Sequence, residues 1–359
     1  MKHSPSLPSL ERLLCELIAV RSVSSDAESC GIALSICRNC LRDLPGVVIH
    51  EHTKDGQPSL VILSHDTPEP DVLLVCHVDV VPAPSASFAP DVKDGRITGR
   101  GAIDMKGPTS AMIRAFHRHV SGKGTASVGI MISTDEEVGG HRGIGYLMSE
   151  KGYRAHCAVL PDAGYDFRLV TLQYGIVRVR IRRKGKAAHS SRPEEGVNAI
   201  DSFQESYAVF RKRIKKIPET VSTLVTINAG IALNVVPDLC DATIDIRTAR
   251  APAVLTLIAD VFREHEYEVF TTEPSLRIDP KNPFIRSFRR IAERELKRPM
   301  RLTELRGATD ARYLAPYNIP VIISSPKGNG HHEDYEWVDI ASLKMFEDVT
   351  VKFLNSIKR

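Results

Sequence analysis

Short apolar runs recur along the chain, and several stop just before a carboxylate or an imidazole. Apolar residues stand at helical spacing over 7–22 and again over 26–43, which predicts two amphipathic helices. Runs at 47–51, 59–63 and 72–77 predict strands. GRITGRGAIDMKG reads as a Gly-rich loop that leads into a helix, PTSAMIRAFHRHV, with Pro108 near its first turn. A strand at 126–133, a helix in IGYLMSEKG and a strand at 155–160 follow. This alternation predicts an α/β fold with a mostly parallel sheet flanked by helices. Residues 172–278 read differently, as strand-like runs with two helical stretches at 196–216 and 251–265. From DPKNPFIRSF onward the helix–strand–helix pattern returns. The predicted organisation is a discontinuous catalytic domain, 1–171 and 279–359, interrupted by a smaller α+β domain at 172–278.

In open α/β sheets, ligands gather beyond the carboxyl ends of the strands. His77, Glu136, Glu137 and Asp162 all follow predicted strands, and His332 follows the strand at 320–325. Asp104 lies in the Gly-rich loop, where a carboxylate could bridge two cations. Carboxylates and imidazoles are the donors a pair of divalent metals in a hydrolytic site requires. Asp79, two residues beyond His77, suits an acceptor that fixes the imidazole of a metal-bound histidine. The side chains of adjacent Glu136 and Glu137 diverge, so one can ligate while the other works on the attacking water. Spacing leaves open whether His331 or His332 is the ligand. Taken singly, each feature has an ordinary structural reading: a helix-capping Asp, an acidic loop, a buried histidine. Their joint placement argues for a metal site.

The remaining composition narrows the picture. A formal charge of +4 is too small to imply nucleic acid. The densest basic stretch, RVRIRRKGK, alternates Arg178, Arg180 and Arg182 with apolar residues, the period of a strand with one wet face. No apolar run is long enough for a membrane span, and MKHSPSLPSLERLL has no apolar signal core. Seven scattered cysteines point to a reducing, cytoplasmic setting. The lone CxxC at Cys37 and Cys40 reads as two ordinary thiols, and Cys76 as a core residue.

The segments HVDVVP, GRGAIDMKG, STDEEVGG, KGKAAHSSRPEEGVNAI, GATDAR and HHEDYEWVDI carry a resemblance that covers nearly the whole chain. With them the chain resembles the M20 family of zinc peptidases and amidohydrolases. That group includes acetylornithine deacetylase, succinyl-diaminopimelate desuccinylase, glutamate carboxypeptidase and cytosolic dipeptidases. The resemblance implies two zinc ions per subunit, with cobalt or manganese as substitutes. Asp104 would bridge them, His77 and Asp162 would hold one, and Glu137 and His332 the other. It implies Glu136 as general base acting on a metal-bridged hydroxide, Asp79 orienting His77, and a cis peptide between Asp104 and Met105. The inserted domain resembles the family's lid and dimerisation domain, which implies a homodimer. There His189 matches the oxyanion-stabilising histidine, and Asn234 and Arg247 match substrate contacts.

The implied reaction is hydrolysis of the amide bond of a small N-acyl amino acid, of deacetylase or desuccinylase type. The other substrate class is a dipeptide or short peptide with a free carboxylate, cut by a dipeptidase or carboxypeptidase. Asp162 stands where deacetylases typically carry Glu, as in the di- and tripeptidases, whereas length and lid size look like the deacylase branch. A metal-binding pseudoenzyme would lack Glu136 or a ligand, and neither is missing. A lidless zinc aminopeptidase would lack the inserted domain.

Overall fold

Two compact units emerge in a computed structural model, which describes residues 7–357. The first six residues of the N-terminal stretch read for a signal core lie outside the described residues. The larger unit combines the chain up to Thr171 with Ile278–Thr303 and the stretch from Thr309 onward. The smaller comprises Leu172–Arg277 and Glu304–Ala308.

The larger unit is built on a six-stranded sheet. Its strands lie in the order Val48–Lys54, Gln57–Leu63, Val128–Ser133, Val72–His77, Cys157–Leu160, Val321–Ile323. The last four pair in parallel. Val72–His77 and Val128–Ser133 are buried along their whole length, which is why both read as unbroken apolar runs rather than alternating ones. The first two strands depart from the parallel pattern. They form an antiparallel hairpin that also joins Val128–Ser133 antiparallel. The reason is local: Asp55 and Gly56 both take positive φ (48° and 79°), as a tight two-residue hairpin turn demands.

Helices cover this sheet as the 3.6-residue spacing requires. Leu10–Ala19 buries Leu10, Leu13, Leu14, Leu17 and Ile18, and starts at Ser9, whose hydroxyl accepts from Arg12 N at 3.2 Å. Its last carbonyls are met by Lys106. This side chain is fully buried, and Nζ donates to Leu17 O (2.9 Å) and Val20 O (2.8 Å). A buried ammonium thus ties the first helix to the start of Lys106–Ser121. All seven thiols are free, and Cys37 and Cys40 sit on the Ala27–Leu41 helix. Cys76 is buried, and burial pushes its thiol up to about 12.

The smaller unit is a four-stranded antiparallel sheet in the order Thr220–Ala229, Leu239–Thr248, Gly175–Lys184, Glu266–Glu273. Val177, Val179, Ile244 and Ile246 from one face pack with Phe203 and Phe210 of Ala199–Ile214 and with Ile258 of Ala251–Val261. The opposite face carries the alternating basic residues, each set against an acid. Arg178 meets Asp245 (2.8 Å), Arg182 meets Asp241 (3.0 Å) and Lys184 meets Glu266 (2.6 Å). The arginine-rich strand is therefore a charge-matched cross-strand ladder. Among the described residues, no helix is long and apolar enough to cross a membrane.

Candidate functional site

Three neighbouring parallel strands end at one rim, which brings side chains distant in sequence together. His77 is the last residue of its strand, Glu136 and Glu137 open a single 3₁₀ turn just after Ser133, and Asp162 lies two residues past Leu160. Asp104 arrives from the Gly-rich loop. At Gly101 the backbone has φ 83°, and a Cβ would stand 2.8 Å from Lys106 Cδ and 2.9 Å from Val80 Cγ1. Only glycine satisfies both constraints. The peptide between Asp104 and Met105 is cis.

Glu336 holds this loop in place. Its buried carboxylate accepts from the backbone N–H of Gly101 (2.8 Å), Ile103 (2.9 Å) and Asp104 (2.9 Å), and from Arg100 Nη1 (3.1 Å). His332 comes from a turn shortly before Glu336. It has φ 65°, a left-handed conformation uncommon for a non-glycine residue and concentrated at functional sites.

The result is two donor groups that share one carboxylate. His77 Nε2 lies 3.3 Å from Asp104 Oδ1 and 3.6 Å from Asp162 Oδ1. His332 Nε2 lies 3.3 Å from Asp104 Oδ2 and 2.9 Å from Glu137 Oε2. Asp104 thus turns one oxygen to each group. The neighbouring His331 instead tilts against Tyr165, with ring centroids 5.4 Å apart. His77 Nε2 is buried without a hydrogen-bond partner, although carboxylates surround it. Donors ~2.0–2.2 Å from a zinc-sized ion stand roughly 3.3 Å apart around a tetrahedron, so the residues present suit such an ion.

Asp79 supports both sides of this arrangement. His77 Nδ1 is 3.1 Å from the Asp79 carbonyl oxygen and 3.3 Å from its Oδ1. The same carboxylate accepts from Ser24 Oγ (2.7 Å), Glu136 N (3.3 Å) and Glu137 N (3.2 Å). It therefore orients the imidazole and also fixes the turn that carries the two glutamates. Glu136 belongs to neither donor group.

The electrostatics are those of a site crowded with like charge. Burial, and then the charge of Asp162, push the Glu136 carboxyl well above the ordinary range. Burial, and then Asp104, do the same to Asp162. Burial opposes charge on His77, but Asp104, Asp162 and Asp79 overcome it and hold the imidazolium well above its usual range. Asp104 and Glu137 raise His332 to about 10. Burial disfavours the Asp104 carboxylate, yet the bonds from His332 and His77 keep it low. A cation among these groups would reverse this logic, favouring carboxylates and neutral imidazoles.

The other three candidate residues lie on the smaller unit. His189 is exposed, and its Nδ1 is 2.8 Å from Ser191 Oγ. It bridges to Val235, next to the exposed Asn234, whose carbonyl accepts from Ser190 N (2.9 Å). Arg247 lies apart from them on Leu239–Thr248, with its guanidinium turned onto Asp245 (2.7 and 3.3 Å).

Two features escaped the sequence reading. One is the anchoring by Glu336. The other is Asp310 of GATDAR, which burial and then nearby Asp135 push up to about 7, and which accepts from Ser133 Oγ at 3.3 Å. An acid beside a tryptophan and an acid in a polar loop give no sign of burial in sequence. Glu336→Gln should weaken metal binding by roughly 10–100-fold, the usual effect of removing a supporting partner of a ligand. Competition with a coloured chelator measures this, and unchanged affinity would refute the anchoring role.

The sequence model of peptidase family M20/M25/M40 matches residues 73–356. The chain belongs to this family. Among curated relatives it is similar to the succinyl-diaminopimelate desuccinylase of Stenotrophomonas maltophilia, with 25% identity over 92% of this chain and 94% of that one. It is 26% identical to the enzyme of the same name from Xylella fastidiosa, over 94% and 95% of the two chains. Among solved structures it is similar to a tripeptidase from Staphylococcus aureus, with TM-score 0.81, 22% identity and coverage of 96% and 97%. Aminopeptidase PepT from Bacillus cereus gives TM-score 0.78 at 20% identity, covering 97% and 98%. The fold is thus that of M20 peptidases, a mixed α/β architecture with a mostly parallel central sheet. This M20 member is an enzyme, a hydrolase of a metal-dependent family, and the two donor groups sharing Asp104 are its candidate ligands.

Proposed function

We propose that this M20 hydrolase uses two zinc ions to cleave the amide bond of a small N-acyl amino acid, as deacetylases and desuccinylases do. The observation that carries this reading is Asp104, whose two oxygens face two separate donor groups. His77 and Asp162 would hold one ion, Glu137 and His332 the other, with Asp104 between. When bound, the metal pair supplies Lewis-acid activation of a water and of the amide carbonyl.

The chain's own residues do the rest. Glu136, outside both donor groups, takes the proton of the attacking water and returns it to the leaving nitrogen. Asp79 keeps the His77 ring in place and, through two backbone bonds, keeps Glu136 and Glu137 aimed. His189 donates to the oxygen that gains negative charge, and Asn234 contacts the substrate. Arg247 shares its guanidinium between Asp245 and a substrate carboxylate.

We also place a homodimer contact on the smaller unit and the protein in the cytoplasm. The edge strand Thr220–Ala229 exposes Val225 (51%) and Ile227 (48%), an edge that a second copy would cover. Seven free thiols fit a reducing compartment.

A second reading, cleavage of di- or tripeptides, is favoured by Asp162, an Asp where the deacylases typically carry Glu. Zinc-loaded protein assayed on N-succinyl-diaminopimelate, N-acetylornithine and a peptide panel separates the two. Release from an acyl amino acid, lost on chelation and restored by zinc, is the expected outcome. Turnover confined to peptides would replace the first reading with the second.

A further inference from the structure

Beside the donor groups stands a phenol that the mechanism above does not use. Tyr165 follows Asp162 by three residues, in the same loop beyond the Cys157–Leu160 strand. Its ring tilts against His331 at 37°, with centroids 5.4 Å apart, and His331 adjoins the donor His332. Among the described residues its hydroxyl makes no hydrogen bond, unlike Tyr153, Tyr174 and Tyr313. A half-buried phenol whose hydroxyl has no partner among the described residues can take one from a bound molecule.

The loop is held in a costly conformation. Gly164, Asp166 and Phe167 all have positive φ (74°, 60° and 55°). The left-handed region is unfavourable for a bulky residue such as Phe167 and persists only where the surroundings enforce it. Here they do. Asp166 N donates to Pro326 O (3.1 Å), Phe167 N to Ser325 O (2.9 Å) and Arg168 N to Gly164 O (2.9 Å). Arg298 Nη2 clamps Asp166 Oδ1 at 2.7 Å, and Phe167 is buried against Phe346, with ring centroids 5.6 Å apart. The backbone on both sides of Tyr165 is thus fixed, and its ring lies against His331, the neighbour of the donor His332.

Burial, and then the charges of Asp104 and Asp162, push the phenol well above its ordinary range. A phenol holds its proton near neutral pH, so it can act as a hydrogen-bond donor.

We propose that Tyr165 is a further catalytic residue, donating its O–H to the substrate carbonyl oxygen as negative charge builds there. The inference rests on the proposed amide hydrolysis and adds to it a donor from the larger unit. The hydrogen bond is stronger in the transition state than to the neutral carbonyl, so its loss falls on kcat rather than on KM.

Tyr165→Phe removes the hydroxyl alone and keeps the ring against His331. Steady-state kinetics on whichever substrate the wild type turns over should show kcat lowered by roughly 10²-fold, as when one oxyanion donor is removed. KM and zinc content should stay within twofold of wild type. Affinity for a phosphinate analogue of that substrate, whose charged oxygens mimic the tetrahedral state, should fall in parallel with kcat. Wild-type kcat in Tyr165→Phe, or a rise in KM alone, would overturn the proposal. Glu136→Gln serves as control. If it is inactive while Tyr165→Phe is fully active, the phenol's role fails and the hydrolytic reading stands. If Glu136→Gln also keeps full activity, the hydrolytic reading itself has failed.

Discussion

Glu136→Gln lowers kcat by roughly 10²–10⁴-fold, the range general acid–base catalysis contributes, and leaves the zinc content unchanged. Glutamine matches glutamate in shape but cannot take up a proton. Glu136 belongs to neither donor group, so the metals lose no ligand. Its backbone N–H still binds Asp79 Oδ1, so the turn that carries Glu137 keeps its place. KM should change little, because the lost function is proton transfer rather than substrate binding. Rate measurements paired with metal analysis test this. Full turnover with zinc bound would remove Glu136 from the mechanism and shift attention to Asp310, a buried carboxyl near it that is also raised and stands outside both donor groups.

Stripping the metals should abolish activity and lower Tm, and the Tm gap between loaded and stripped protein should widen as pH rises. In the stripped protein Glu136, Asp162, His77 and His332 all hold their protons to higher pH than usual. A group whose folded pKa is raised contributes stability in full below its unfolded value and loses it as pH climbs through the folded one. Stability of the stripped form therefore declines from the ordinary carboxylate range, about 4, upward to the His332 value of about 10. Metal binding runs the other way, because donors must be deprotonated to ligate. At free metal 100 to 1,000 times Kd the stabilisation is about 2.7–4.1 kcal/mol. Thermal melts at pH 6, 7 and 8.5, with and without chelator, measure the gap. A gap that narrows with pH would contradict the assignment of His77, Asp162 and His332 as metal donors.

How much of this was legible in the sequence depends on whether the cause is local. His77, Glu137 and Asp162 could be placed because an apolar run reveals a buried strand, and parallel neighbours finish at one rim. The hairpin at Val48–Leu63 was missed because strand–helix alternation overshadowed the Asp55-Gly56 turn signal. Spacing could not choose between His331 and His332. The structure separates them because the left-handed backbone at His332 accompanies a ring that meets Asp104 and Glu137, whereas the His331 ring meets Tyr165. The work of Glu336 was illegible because its partners, Arg100 to Asp104, precede it by more than 230 positions. Arg247 shows the converse. Its residue type suggested a free fork for a carboxylate, and only the structure shows Asp245 already on it.

The anchoring of the Asp104 loop by Glu336 has a consequence for how the protein matures. In chain order His77, Asp104, Glu137 and Asp162 all precede the inserted smaller unit, while His332 and Glu336 follow it. A ribosome therefore delivers the candidate metal donors in two batches, with the whole insertion synthesised between them. Until the second batch emerges, Asp104 lacks both the carboxylate that pins its loop and one histidine that faces it. A nascent chain halted before His332 would capture zinc weakly, and tight uptake would mark a chain whose two separated parts have already joined.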